Sequence, residues 1–103
     1  MKLTPTVDAL VVALCADFRR RQEAIREQSV SHRTEMEYRY LNIKLTDAAT
    51  EIAGERTARD YILEIGGRKG YACSELYYVS EATYKQQKQQ IKLNIAKRLH
   101  LVD

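Results

Sequence analysis

The chain reads as all-α, a five-helix domain ending in a helix-turn-helix whose second helix is long. Three observations lead there. Apolar residues recur at helical spacing over most of the chain, and no segment alternates at period two. One Pro and four Gly among 103 residues leave little of the punctuation that strands and their turns require. An apolar content of 45% beside 30% charged residues suits a folded chain with one core, and the length suits one domain over residues 1–103.

The first element opens at Thr4-Pro5, an N-cap followed by a first-turn proline, with Asp8 near the positive end of the helix dipole. Val7, Leu10, Val11, Leu14, Phe18 and Ile25 then repeat at helical spacing, which predicts a helix from about 5 to 27. Gln28-Ser29-Val30-Ser31 breaks it. Ser31 can cap a second helix carrying Met36, Tyr40, Ile43, Ala48 and Ile52, running to about residue 53. Gly54 either ends that helix or softens it. The pattern resumes with Ala58, Tyr61, Ile62 and Ile65 and stops at Gly66-Gly67. A short helix over about 70–77 and a long one from 81 to about 100 complete the count. Residues 1–66 would form scaffold and oligomer contacts, with Leu10, Val11, Leu14 and Phe18 in the core and in a dimer seam. Residues 67–103 would form the helix-turn-helix.

Charge is unevenly placed. Residues 1–65 hold ten Lys/Arg against eleven Asp/Glu, whereas residues 66–103 hold seven against three. The C-terminal third is thus the part suited to an anion, and nucleic acid is the anion expected. The longest apolar run, Ala9 to Ala16, is far short of a membrane span, and its basic cluster Arg19-Arg20-Arg21 follows it, unlike a signal peptide. A cytoplasmic protein with no membrane partner is expected. Cys15 and Cys73 are isolated and read as two buried thiols in a reducing compartment.

The segment Gly67 to Thr83 carries the functional expectation. Small Ser74 would let two helices cross closely, Tyr77 and Val79 bracket a tight turn, and the Ser80 hydroxyl is placed to accept the Thr83 amide. On the helix that follows, at 100° per residue, Ile91, Ile95 and Leu99 share the direction of Tyr84. Ala82, Gln86, Gln89 and Gln90 face away, with Lys85 at the edge of that face. Lys can meet phosphate or guanine and Gln can pair with adenine, so this face suits a DNA groove. The same residues also suit a solvated helix face, since both are good helix formers. Leu93 and Ala96 lie off the Tyr84 direction, so the second half of this helix should be enclosed by the N-terminal helices or a second subunit.

Tyr40-Leu41-Asn42, Asp47-Ala48-Ala49, Val79-Ser80-Glu81-Ala82-Thr83-Tyr84 and Ile91 to Leu101 together resemble the small phage and prophage regulators of the ArpU and RinA type. The resemblance covers the second half of the chain well and the first half loosely. Lys88 stands where that family usually has an apolar residue, and Tyr78 where it usually has Gly. It implies a transcription regulator with a helix-turn-helix related to sigma-factor region 4. Arg68 and Lys69 would contact the DNA backbone, and Ser80, Lys85 and Lys88 would set register on phosphates. Glu81, Ala82, Gln86 and Gln89 would face base edges.

Other constellations point to no catalysis. Asp47, Glu51 and Glu55 stand four apart as an acidic stripe without the His partners of helical metal sites, so they read as a solvated face or a docking surface for a basic partner such as RNA polymerase. Arg19-Arg20-Arg21 with Arg26 reads as a phosphate-contacting patch or as arginines paired with Glu23 and Glu27. His32 and His100 stand alone, and Gly66 to Gly70 lacks the ending of a phosphate loop. The expectation is a homodimeric, sequence-specific duplex-DNA-binding regulator with no cofactor, no metal and no enzymatic activity. The alternatives are a protein-interaction module that binds RNA polymerase or a host factor, and a DNA-packaging adaptor like the small terminase subunits.

Overall fold

The first expected helix is two. The computed structural model describes residues 2–102. In it α1 spans Pro5–Ala16 and α2 spans Phe18–Glu27, with Asp17 between them. Thr4 caps α1 as expected, its Oγ1 accepting the Val7 amide at 3.3 Å. Asp17, at φ −91° and ψ 0°, stays in the right-handed region but interrupts the regular helix as a single turn residue. Val11, Cys15 and Phe18, spaced four and three apart, stay on one side across the break and enter one core. Periodicity alone runs through such a break, because both helices bury residues on both sides of it.

Gln28, in the left-handed region at φ 52°, ends α2. α3 spans His32–Ala53 behind the expected Ser31 cap, whose Oγ accepts the Thr34 amide at 3.2 Å. Gly54 resolves as a full break at φ 88°, a conformation open to glycine. α4 then runs Glu55–Gly67. Glu55 therefore belongs to the first turn of α4 while Asp47 and Glu51 belong to α3, so the acidic stripe is not one helix face. Glu51 is also taken up, by an ion pair with Arg98.

Gly66 and Gly67 serve a different purpose from the expected helix stop. A β-carbon on Gly66 would lie 2.5 Å from the Ala16 nitrogen and 2.6 Å from the Cys15 carbonyl carbon. Only glycine lets α1 and α4 cross that closely. The left-handed cap falls instead on Arg68, at φ 56°.

The expected helix over 70–77 is not formed. Only a 3-10 turn at Tyr71–Cys73 is present, and the chain then runs extended through Ser74. Ser74 does not mediate a helix crossing; its Oγ accepts the Leu76 amide at 2.8 Å, which competes with helical bonding. Leu76 is fully buried, whereas Cys73 and Tyr77, assigned to the core and the turn wedge, are exposed. The apolar register of this segment is therefore shifted from the expected one. Five α-helical segments occur among the described residues, but they are not the five expected, and α4 joins α5 through an irregular connection.

α5 spans Glu81–Arg98. It lies against α3 and α1, with smaller contacts to α4 and the 3-10 turn. Tyr61, Ile62, Ile65, Tyr84, Ile91 and Ile95 are buried as expected, and Val79 packs against them half-buried. The proposed seam, split between α1 and α2, is mostly core: Val11 and Phe18 are buried and Leu14 packs on them, leaving Leu10 exposed.

Candidate nucleic-acid interface

The candidate face is carried by the first half of α5, and its position follows from how the second half is held. Lys92 Nζ lies 2.8 Å from Asp8 Oδ1, tying α5 to α1. Asn94 Nδ2 donates to the Ala48 carbonyl at 3.1 Å, and Arg98 pairs with Glu51, tying α5 to α3. Ala96 is fully buried, and Leu101 donates its amide to the Ala96 carbonyl at 2.8 Å. The enclosure expected from Ala96 is thus supplied by α1, α3 and the folded-back C-terminus. Leu93 is half-buried.

The N-terminal half is capped and largely open. Ser80 Oγ accepts the Thr83 amide at 3.2 Å, the bond expected from the sequence. Ala82, Lys85, Gln86, Gln89 and Gln90 are all exposed. Glu81 and Lys85 form an ion pair at 3.1 Å on this surface, each more than half exposed. Gln87 does not join the surface: it is half-buried and accepts the Tyr61 hydroxyl at 2.6 Å.

Lys88 is also turned away from the direction expected. Its Nζ donates to the Lys69 carbonyl at 2.6 Å and lies 5.3 Å above the Tyr84 ring. Burial, and secondarily the charge of Lys92, lowers its pKa below the ordinary lysine value. The stem of Lys88 is thus half-buried, and its ammonium reaches back to the backbone. Lys69 presents its carbonyl to this contact, and Tyr84 donates to the same oxygen at 3.0 Å. Arg68 is exposed and shares a groove with Asp8, Lys88 and Lys92. At 100° per residue, Lys88, Lys92 and Lys85 occupy one flank of α5, and Gln89, Ala82, Gln86 and Gln90 continue round from it.

Beneath this corner lies an aromatic cluster that the sequence did not announce. Tyr61 and Tyr84 stack with centroids 5.9 Å apart, and Tyr71 meets Tyr84 at 5.5 Å. Tyr71 donates to the Val79 carbonyl at 2.6 Å and so pins the connection just before the Ser80 cap. Glu64 is buried at 2% exposure beside it, and neither of its oxygens has a hydrogen-bond partner among the described residues. Burial, and then the adjacent Glu64 carboxylate, pushes the Tyr84 hydroxyl well above the usual phenol range.

The other arginine cluster serves the scaffold. Arg21 is 2% exposed. Its Nε donates to Asn42 Oδ1 at 2.7 Å and one terminal nitrogen to the Leu14 carbonyl at 2.6 Å. The other terminal nitrogen reaches Asp17 at 3.3 Å. Arg20 is held by Asp17 and Tyr38. The expected partners fit poorly, since among the described residues Glu23 forms no ion pair and Glu27 only a 3.8 Å one with Arg26. Arg19, Arg26 and Arg59 line a shallow groove with Gln22 and Glu23. Spacing could not reveal the burial of Arg21, because a run of three arginines reads as surface.

Cys15 is buried as expected, and burial pushes its thiol up to about 12. Cys73 is exposed, against expectation. No group of three or more His, Cys, Asp or Glu among the described residues is placed to hold a metal ion, and no described helix is long and apolar enough to cross a membrane. No protein-family model, curated protein or solved structure matches the chain.

Proposed function

We propose that the protein binds duplex DNA sequence-specifically through the first half of α5 and regulates transcription, in keeping with the phage and prophage regulators its sequence resembles. The observation that carries this reading is the asymmetry of α5. One half is clamped to α1 and α3; the other presents amide and small side chains, with the exposed Lys85–Glu81 pair at its edge. A groove-reading helix needs rigid support at one end and an acid-poor face at the other. The reading rests on α5 itself, because the connection before it is not a helix-turn-helix turn.

In this reading Ala82, Gln86 and Gln89 meet base edges. Arg68, Lys69, Ser80 and Lys85 contact phosphates, the last after exchanging Glu81 for a phosphate oxygen. Lys88 supports the corner and does not touch DNA. The test measures affinity against salt for a selected site and a scrambled one. Gln86→Ala should narrow the gap between the two sites by about 1–3 kcal/mol while leaving the scrambled site nearly unchanged. Lys85→Ala should weaken both alike and lower the salt slope by about one unit.

A second reading has a specific observation behind it. Tyr77 and Tyr78 are 81% and 62% exposed directly before the Ser80 cap, and paired exposed aromatics suit a protein partner such as RNA polymerase. Absence of salt-dependent affinity for any duplex would favour that reading over DNA.

A further inference from the structure

The outer face of α3, opposite the core, carries an apolar stripe with nothing upon it. Met36, Tyr40 and Ile43 are 58%, 52% and 56% exposed. The stripe is continued by Arg33 at one end and Asp47 at the other, both exposed. The five residues step by three, four, three and four, so at 100° per residue they fall within about 80° of one another. The buried residues Asn42, Leu45, Ala48 and Ala49 lie on the other side of the helix. Shallow grooves run along both sides of the stripe, one lined by Met36, Tyr40 and Leu41, the other by Ile25, Ile43 and Thr46.

The charges around this stripe have an order. Arg33 and Asp47 stand seven residues before and after Tyr40, and Glu37 and Lys44 stand three before and four after it. Among these four the signs run plus, minus, plus, minus and invert on reflection through Tyr40, while Arg39, beside Ile43, is paired with Glu35 on its own helix. A second copy laid antiparallel about a two-fold axis at Tyr40 would set Arg33 against Asp47 and Glu37 against Lys44, each pair occurring twice. A parallel copy would set like charges together. We infer that the outer face of α3 is the interface of an antiparallel homodimer, with Tyr40 near the two-fold axis and Met36 beside Ile43 of the other copy.

The physics fits this occupant better than an unrelated chain. Apolar residues at alternating three and four spacing form the seam along which helices pack, and flanking charges choose orientation and partner. A two-fold interface must be self-complementary, and this face is so in both shape period and charge. In the isolated chain Arg33 and Lys44 have substitute contacts on their own helix, with Glu37 at 3.6 Å and the Tyr40 ring at 5.3 Å. The first is fully exposed and exchanges readily for an intermolecular one, and the second lies against the half-exposed Tyr40 ring.

The test is sedimentation equilibrium of the full chain over about 1–100 µM, the range expected for a seam only about 21 Å long. The parent should show a monomer–dimer equilibrium, and Ile43→Glu should weaken it at least about tenfold by burying a charge in the seam. Arg33→Asp and Asp47→Arg should each weaken it, and an equimolar mixture of the two should dimerise more strongly than either alone. The double variant Arg33→Asp/Asp47→Arg should return to within about threefold of the parent, which only antiparallel pairing allows. Circular dichroism melts identify any variant that fails to fold. In that event Tyr40→Cys in a Cys73→Ser background should form a disulfide-linked dimer on mild oxidation. A parent that stays monomeric at about 100 µM overturns the inference. So does a dimer indifferent to Ile43→Glu, or a double variant no better than the singles. None of these residues lies on α5, so failure here leaves the DNA reading standing.

Discussion

Two junctions lie close together in this protein and are built in opposite ways. Where α1 turns into α2, backbone touches backbone at Gly66, and a buried guanidinium reaches Leu14, Asp17 and Asn42. Where α4 gives way to α5, thirteen residues are held mainly by tyrosine hydroxyls, a serine turn and one buried leucine. The first junction has little room to adjust. The second leaves its aromatics and its serine cap near the surface, where a ligand can meet them. The difference teaches that the scaffold is fixed by close approach, whereas the candidate DNA face is positioned by a connection whose bonds are individually replaceable.

Each junction holds one cysteine, and this gives the largest contrast to measure. Cys15 is buried at the first, with its thiol at about 12, so at pH 8 only about one molecule in ten thousand carries a thiolate there. Cys73 is exposed at the second. A maleimide should label one thiol per chain quickly, and Cys73→Ser should abolish that phase. Two thiols reacting at equal rates in folded protein would show that the first junction opens freely.

Gly66→Ala should destabilise the fold by about 3 kcal/mol or more, because the added methyl meets backbone that cannot swing aside. Gly67→Ala, one residue on, touches only the Lys69 side chain and should be neutral or stabilising by up to about 1 kcal/mol. Equal urea midpoints for the two variants would mean that the helices are not in contact at Gly66. Arg21→Ala should cost about 3 kcal/mol, since Asn42 and the Leu14 carbonyl lose their donor. On the other side of the comparison, Tyr71→Phe removes one bond to the Val79 carbonyl and should cost about 1 kcal/mol. Thermal melts in which Tyr71→Phe unfolds at a lower temperature than Arg21→Ala would reverse the assignment of rigid and replaceable junctions.

What could be read from the sequence divides along the same line. Ser31 and Ser80 were legible because an N-cap is a local rule, and each hydroxyl accepts the amide three residues on. Tyr84, Ile91 and Ile95 were legible because they share one direction on an unbroken helix. The break at Asp17 was not, since apolar residues continue across it at unbroken helical spacing. Cys73 was misassigned and buried Leu76 went unread, because a 3-10 turn followed by extended chain has no helical period to read. On the candidate face, the Glu81–Lys85 pair was implicit in its spacing of four. The inward turn of Lys88 was implicit too, as it falls only about 40° from Tyr84 round the helix. Arg21 gave no sign, because burial of a guanidinium depends on acceptors from three separate places in the chain.

Arg68 holds a left-handed backbone conformation at the end of α4, one residue after a glycine that could have held it without strain. The arginine is exposed and caps nothing with its side chain among the described residues. Replacing it by glycine should therefore stabilise the fold by about 0.5–1 kcal/mol. If the guanidinium meets a phosphate, the same change should weaken DNA binding, so one substitution would make the protein sturdier and worse at its task. Such a trade separates residues kept for folding from residues kept for use, and it can be read from two titrations of a single variant.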